Sequence, residues 1–482
     1  MSSVAMSHRL GDLTDWFSGG TPSKKKPEYW GEDIPWISAS SMGGSRYFDS
    51  DLKITTEGLE AGSRLAPKGS ILLLVRGSTL HKRIPVGIAE REVAFNQDVK
   101  AIRVKPELIA GQVTDELYLY YWLKANEQLL LEMVEHTGIG AGKLDTKRLQ
   151  NLEIELPPWH EQRKIVTTAT ALDEKEILNS HINQTLEQMA QAIFKSWFVD
   201  FEPVKAKIAA LEAGGSEEDA LLAAMQAISG KSEAELTRLQ AERPEQYAEL
   251  RATAELFPSA MQDSELGEIP EGWTIAPFLS IARLDTTSVK PAQDPEKAWE
   301  HYSIPAFDEG ATPAFETGAD IKSNKYKVYP TAVLSSKLNP HFPRTWIPDV
   351  QNPDAAICST EFMQFVPLEP QHRAFIAGMI TSEPFQSGIM IRVTGSTGSR
   401  QRAQPKQVAA MDVILPKSEL RAVYSQHTEA MYRMQSKNIW QAQSLASLRD
   451  TLLPKLLSGE LSVSDAEYQM TEEELIPQEE IN

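Results

Sequence analysis

The sequence predicts a mixed α+β protein of two similar halves, each a domain of short strands that runs into one long helix. Three observations predict it. Residues 137–198 and 394–457 carry the same order of signals: a Gly-rich turn, a basic patch, a short strand, a Leu-Pro stop and a long apolar-periodic helix. From Leu156-Pro157 and Leu415-Pro416 onward the offset is a constant 259 residues. The block before each copy reads as short strands broken by turns. A long unit present twice is not a solenoid, which needs three or more short units. Two similar halves suit a target that also comes in two halves.

The elements follow in order. Residues 1–155 read as mixed α/β, with strands at Ile71–Val75 and Val99–Val104 and a helix over Glu116–Leu131. Residues 156–204 hold the first long helix. Residues 205–268 read as an acidic insertion of short helices. Ser216 with Asp219 and Ser232 with Glu235 look like capping boxes, and Gly230 and Pro244 punctuate them. Residues 269–415 repeat the first block, opening at Glu271-Gly272-Trp273, with Val328–Ser335 as the matching strand and Ala374–Ile380 as the matching helix. Residues 416–460 hold the second long helix, and 461–482 form an acidic tail expected to lack structure.

A heptad set on the first helix places Ile165, Leu172, Asn179, Leu186 and Ile193 at position a. Thr168, Lys175, Ile182, Met189 and Ser196 fall at d. The second helix then has Tyr424, Met431, Asn438, Leu445 and Leu452 at a, with His427, Met434, Gln441, Leu448 and Lys455 at d. The seam is expected to run through Leu172, Asn179, Ile182 and Leu186 on one helix and Met431, Asn438, Leu445 and Leu448 on the other. Both helices put an Asn at the same a position, and a buried seam Asn lowers stability while fixing register. If the helices pack antiparallel about a pseudo-twofold axis, Asn179 and Asn438 are expected to meet. The plainer alternative leaves each of them solvated.

Composition limits the class. With 41% apolar residues and 482 positions, the chain holds enough for several cores. One cysteine, Cys358, excludes a disulfide framework and fits a reducing compartment. The first residues lack the apolar core of a signal peptide, and Ile71–Val75 is far too short to span a bilayer. A cytoplasmic protein without membrane contact is expected. The net charge of −19 argues at first against nucleic acid. But residues 205–268 hold 13 acidic and 6 basic residues, and 460–482 hold 8 acidic and no basic ones. The remaining 395 residues carry only −4, so local basic faces are permitted.

No complete catalytic constellation emerges. Leu156-Pro157-Pro158-Trp159 has the outline of an amino-methyltransferase loop, but Leu cannot accept the target amine's hydrogen bond, so it reads as a strand-ending turn. The Gly138–Leu144 stretch lacks the first Gly and the final Ser or Thr of a phosphate loop. Asp51-Leu52-Lys53 lacks a partner acid and reads as a solvated turn. The nine His residues form no ligand-spaced cluster with the lone Cys, so no metal site is indicated.

What persists is polar and basic loop chemistry in both halves. The first half has Thr21, Ser23, Lys24 and Lys25 in a Gly-Gly-Thr-Pro loop read as flexible, and Ser40 and Arg46 in a Ser-Gly loop. Arg76 and Ser78 close a strand, and Lys143 and Lys147 follow the Gly-rich turn. The second half has Lys290 near its start, Lys337 closing the equivalent strand, Asn339 and Arg344 after it, and Arg400 and Arg402 beyond the Gly-rich turn. Such groups hold phosphates or read base edges. Each alone reads as a solvated surface loop. Their recurrence at matched places makes a DNA-binding set the stronger reading.

The motifs then become familiar. Gly19-Gly20-Thr21-Pro22-Ser23, Tyr29-Trp30 and Ile34-Pro35-Trp36-Ile37-Ser38 resemble the start of a target-recognition domain in specificity (HsdS) subunits of type I restriction–modification systems. Residues 156–165 and 192–201 resemble the entry to and exit from that family's first conserved helix. Ile269–Trp273 resembles the opening of its second recognition domain, and 452–460 the end of its second conserved helix. The chain departs at Asp285–Lys290, which replaces the Gly-Gly-Thr-Pro loop and puts the second half-site's contacts in doubt. The resemblance implies two target-recognition domains joined by an antiparallel coiled coil, each domain reading half of a bipartite site in double-stranded DNA. Helices of about 40 residues, roughly 60 Å at ~1.5 Å per residue, would set the spacer. It further implies two methyltransferase subunits and restriction/translocase subunits as partners. On the same resemblance S-adenosylmethionine, ATP and Mg would belong to those partners, and this chain is expected to have no cofactor and no catalysis of its own. The competing readings are a degenerate single-chain methyltransferase or nuclease, and a coiled-coil scaffold without DNA binding.

Overall fold

The computed structural model describes residues 6–137, 140–394 and 401–464. They divide into two compact units. The first comprises Met1–Glu176 with Gln443–Asn482, and the second Ile177–Ala442. Both long helices, Trp159–Phe198 and Ser418–Ser458, run from one unit into the other.

In the first unit a five-stranded sheet centres on Ile71–Leu74, whose four side chains are all buried. It is flanked by Val99–Val104 and Val86–Ala89, both antiparallel, with Thr14–Ser18 beyond the former. A second sheet contains a parallel pair, Trp30–Ile37 with Val93–Phe95. The second unit repeats both features. Ala282–Asp285, Phe362–Pro367 and Val333–Ser336 lie side by side antiparallel, and Ala298–Tyr302 runs parallel to Ala356–Cys358. The strands that bracket each domain also match. Met6–Arg9 pairs Glu153–Leu156 with Met6 opposite Leu156, and Thr274–Pro277 pairs Asp412–Leu415 with Thr274 opposite Leu415.

The predicted helix over Glu116–Leu131 is two helices, Glu116–Ala125 and Glu127–Glu132, broken at Asn126. Asp115 caps the first by accepting from the Tyr118 N–H. Its buried face brings the Tyr121 hydroxyl to Asp173 at 2.9 Å. The counterpart, Arg373–Thr381, seats Phe375 among Phe194, Phe198 and Tyr424. Gly378 allows this approach, because a Cβ there would lie 2.5 Å from the Phe194 ring and 2.7 Å from the Tyr424 hydroxyl. The expected strand at Val328–Ser335 is Val333–Ser336.

The insertion expected at 205–268 begins slightly earlier and holds four helices, Glu202–Glu212, Glu217–Ser229, Glu233–Glu242 and Pro244–Glu255. Both capping boxes form, and Gly230 ends its helix in the left-handed conformation at φ 65°. A small core of Leu221, Ala224, Met225, Leu236 and Ala254 holds them together. Lys207 is buried and donates to the Phe257 carbonyl at 2.6 Å, while Phe257 packs edge-on against Trp197.

Within the second unit the helices run antiparallel, because partners on one rise as partners on the other fall. Asn179 bonds Gln441, Asn183 bonds Asn438 and Gln435, and the Ala190 carbonyl accepts from Tyr424. Asn179 and Asn438 are therefore not each other's partners. Asn179 donates to Gln441 at 3.0 Å and Asn438 to Asn183 at 2.9 Å. Antiparallel helices interleave their side chains, so each Asn faces the gap beside its counterpart. All eight seam residues named from the heptad are buried or half-buried. The d column is displaced by one in part: Thr168 is buried at its d position, but five others give way to the next residue. Ala190, Trp197, Thr428, Arg449 and Leu456 are buried, next to exposed Met189, His427 and Lys455 and half-buried Ser196 and Leu448. A straight helix turns every 3.6 residues and drifts by ~20° per heptad against a strict 3.5 repeat, so the buried stripe moves off the heptad.

Candidate nucleic-acid interface

The site in the first domain starts from two glycines. A Cβ on Gly19 would lie 2.0 Å from the Phe95 carbonyl oxygen, and one on Gly20 2.1 Å from that of Gly62. The loop that looked flexible is pressed against backbone on both sides. Gly20 N–H donates to the Phe95 carbonyl at 2.9 Å, and the Trp36 indole donates to the Gly20 carbonyl at 3.1 Å. Trp36 in turn stands edge-on to Trp30, 5.2 Å between ring centroids. This anchoring presents Thr21, which donates to the Gln97 carboxamide at 2.8 Å, and leaves Lys24 and Lys25 exposed. Ser23 contributes its carbonyl, which accepts from Lys26 N–H and the Trp30 indole.

Beside the loop, Lys100 donates to the Ser18 hydroxyl. Burial and then the neighbouring Arg76 guanidinium lower its pKa, and an incoming anion would offset the repulsion between the two cations. Arg76 is exposed, and its guanidinium has no hydrogen bond or ion pair among the described residues. It sits opposite Lys143, whose ammonium lies 4.0 Å from Glu135. Ser78 follows in an exposed turn, and Lys147 is exposed at the start of a short helix capped by Asp145. Thr21, Arg76, Lys100 and Lys143 therefore share one edge.

Other named residues are engaged within the fold. Ser40 and Ser38 hydroxyls bond each other at 2.9 Å inside a self-closing serine turn. Arg46 pairs with Glu90 at 2.9 Å and lies over the Tyr120 ring. Arg344 grips Asp308 through two bonds, 2.6 and 3.0 Å, and its side chain is only 15% exposed. Arg402 is exposed but held by Glu361 through two bonds of 3.0 Å. Lys290 is exposed after the edge strand Ser288–Val289. Arg400 lies outside the described residues.

The second domain carries the same corner with a corrected register. Val75 N–H donates to Asp98 and its carbonyl accepts from Leu144 N–H; Lys337 does the same with Glu361 and Ala403. Lys337 therefore occupies the place of Val75, and Leu338, paired with Arg402, that of Arg76. A one-residue shift moves a side chain to the other face of a strand, so Lys337 is not the counterpart of Arg76. Ladder bonds decide this, and composition alone cannot. Gln97 and Lys100 escaped the sequence reading, whereas Gln401 stood in it beside Arg400 and Arg402. Lys100 was visible as a polar position in the alternating Val99–Val104 strand, but Gln97 carries no local signal. Among the described residues, no group of three or more His, Cys, Asp or Glu could hold a metal, and no helix is long and apolar enough to cross a membrane.

Residues 5–188 match the family model described as "Type I restriction modification DNA specificity domain". The HindI specificity subunit of Haemophilus influenzae is 30% identical over 369 residues, covering 71% of this chain and 77% of the relative. The chain belongs to the specificity-subunit family of type I restriction enzymes. The EcoR124I/EcoR124II specificity subunit of Escherichia coli is 32% identical over 179 residues, 37% of this chain and 42% of its own. A solved type I S subunit from M. genitalium overlays with a TM-score of 0.48 at 14% identity, covering 95% of this chain and 97% of that one. In this member of the specificity-subunit family, the two recognition domains share the central strand pairings of both sheets and the backbone bonds of the ladder corner, but not the side chains there.

Proposed function

We propose that this chain reads a bipartite DNA sequence, one half per recognition domain, and carries no catalysis of its own. It would scaffold two adenine-N6 methyltransferase subunits and ATP-dependent restriction subunits, which would bring S-adenosylmethionine, ATP and Mg. The observation that carries the reading is the repeated ladder corner, basic at Arg76 and Lys143 in one domain and polar at Asn339, Gln401 and Arg402 in the other. Arg76 and Lys100 crowd like charges at a surface edge, an arrangement stabilised by phosphate.

Arg76→Gln is expected to weaken binding to all DNA sequences alike and to lower the slope of log affinity against log salt by about one unit. Titrations at several salt concentrations measure it, and an unchanged slope removes Arg76 from the interface. The function itself is tested by base-resolution mapping of N6-methyladenine in cells expressing the chain with its cognate methyltransferase. A single gapped motif that vanishes when this chain is omitted is expected. A motif that persists without it ends the DNA-reading proposal.

A further inference from the structure

We infer that Asn339 and Gln401 are the base-reading pair of the second recognition domain, and that they read an adenine in the major groove. This rests on the DNA-reading function proposed above and names the residues that perform it in one half. Asn339 N–H donates to the Gln401 carbonyl at 2.9 Å, at the ladder position held in the first domain by Gly77 opposite Gly142. Where one domain has two residues without side chains, the other has two carboxamides. In the first domain a side chain is excluded at Gly142, where a Cβ would lie 2.9 Å from both Leu80 and Val134.

Both carboxamides are held in an unsatisfied state. The Asn339 Oδ1 and Gln401 Oε1 atoms are buried without a hydrogen-bond partner, and neither side-chain amide bonds any described residue. Buried acceptors are normally paired, so each of these is an unmet demand for a donor. Asn339 also adopts φ 47°, a left-handed conformation that Asn tolerates better than most residues. Its backbone is held by the bonds to Gln401 and Phe342. Both residues are part-exposed, and a change of rotamer about χ1, not only a flip of the amide, is what would turn both ends of a carboxamide outward onto a base edge. A carboxamide offers an acceptor to the adenine N6 amine and a donor to N7, the bidentate match that other bases lack. Arg402 next to Gln401 is already occupied by Glu361, whereas the two carboxamides bond no described side chain.

The test replaces both residues by their first-domain equivalents, Asn339→Gly with Gln401→Gly, in the full chain with its methyltransferase partner, and maps methylation. Preference for A·T at one or two adjacent positions of one half-site should fall by about tenfold or more, with the other half-site and the gap unchanged. A second variant, Asn339→Asp with Gln401→Glu, keeps shape but removes the amide donors, and guards against a folding failure of the first. It should lose the same adenine while retaining the other half-site. A motif unchanged in the second variant, or altered in both half-sites, overturns the inference. Persistence of the wild-type motif without this chain would instead overturn the DNA-reading proposal itself.

Discussion

Arg449→Leu is expected to destabilise the first unit by about 3–5 kcal/mol. The Arg449 guanidinium, 8% exposed, bonds Asp173 at 2.6 Å, Glu176 at 3.0 Å and Asp450 at 2.8 Å. Asp173 is 1% exposed, and its other partners are the Tyr121 hydroxyl and, at 3.8 Å, Lys124. Removing the arginine leaves a buried carboxylate with one hydroxyl and one distant ammonium, which does not offset its lost hydration. Leu supplies apolar volume but no charge. The loss should be local, so hydrogen exchange at residues 165–176 and 445–456 is the proper readout in a chain of two units. Protection there should fall while that of the aromatic cluster around Tyr424 holds. Adding Asp173→Leu to Arg449→Leu should restore part of the stability, because the buried carboxylate is then gone and only the more exposed Glu176 and Asp450 have lost their cation. A loss below about 1 kcal/mol would mean that the cluster behaves like an exposed ion pair.

Gly19→Val is expected to dislodge the Gly-Gly-Thr-Pro loop and to weaken DNA binding by about tenfold or more through the first domain alone. A Cβ at this position would sit 2.0 Å from a backbone carbonyl, and its other close neighbours include the Phe95 ring at 2.6 Å. Backbone in a parallel strand pair cannot yield, so the loop must. Overpacking of this kind costs about 1–3 kcal/mol where the structure can adjust. Here the cheaper adjustment is to break the Gly20 to Phe95 bond and the Trp36 to Gly20 bond. Thr21 then leaves Gln97, and the lysines that follow lose their fixed position. Gly43→Ala is the control, because nothing lies within 4 Å of its added Cβ. Trp36 fluorescence and salt-dependent DNA titration together check this. Normal binding by the Gly19 variant would show that the loop takes no part in recognition.

Much of this protein follows from the sequence alone. The duplication, both long helices, the capping boxes at Ser216 and Ser232, the left-handed stop at Gly230 and the buried central strand of the first domain depend on neighbours within a few residues. Hydrogen bonds and side-chain periodicity at that range are written locally. Tertiary structure decided the rest. It set which of Lys337 and Leu338 stands opposite Arg402, because ladder bonds to residues some 60 positions away fix the register. It moved the helix stripe off the heptad, because the 3.6-residue turn accumulates over 40 residues. It paired Asn179 with Gln441 rather than with Asn438, because antiparallel side chains interleave. It engaged Arg46 and Arg344 with Glu90 and Asp308, and left the side chains of Arg76, Asn339 and Gln401 without a hydrogen-bond partner among the described residues. A charged or polar residue is legible in a sequence, but whether its partner is already inside the fold depends on distances that only the folded chain defines.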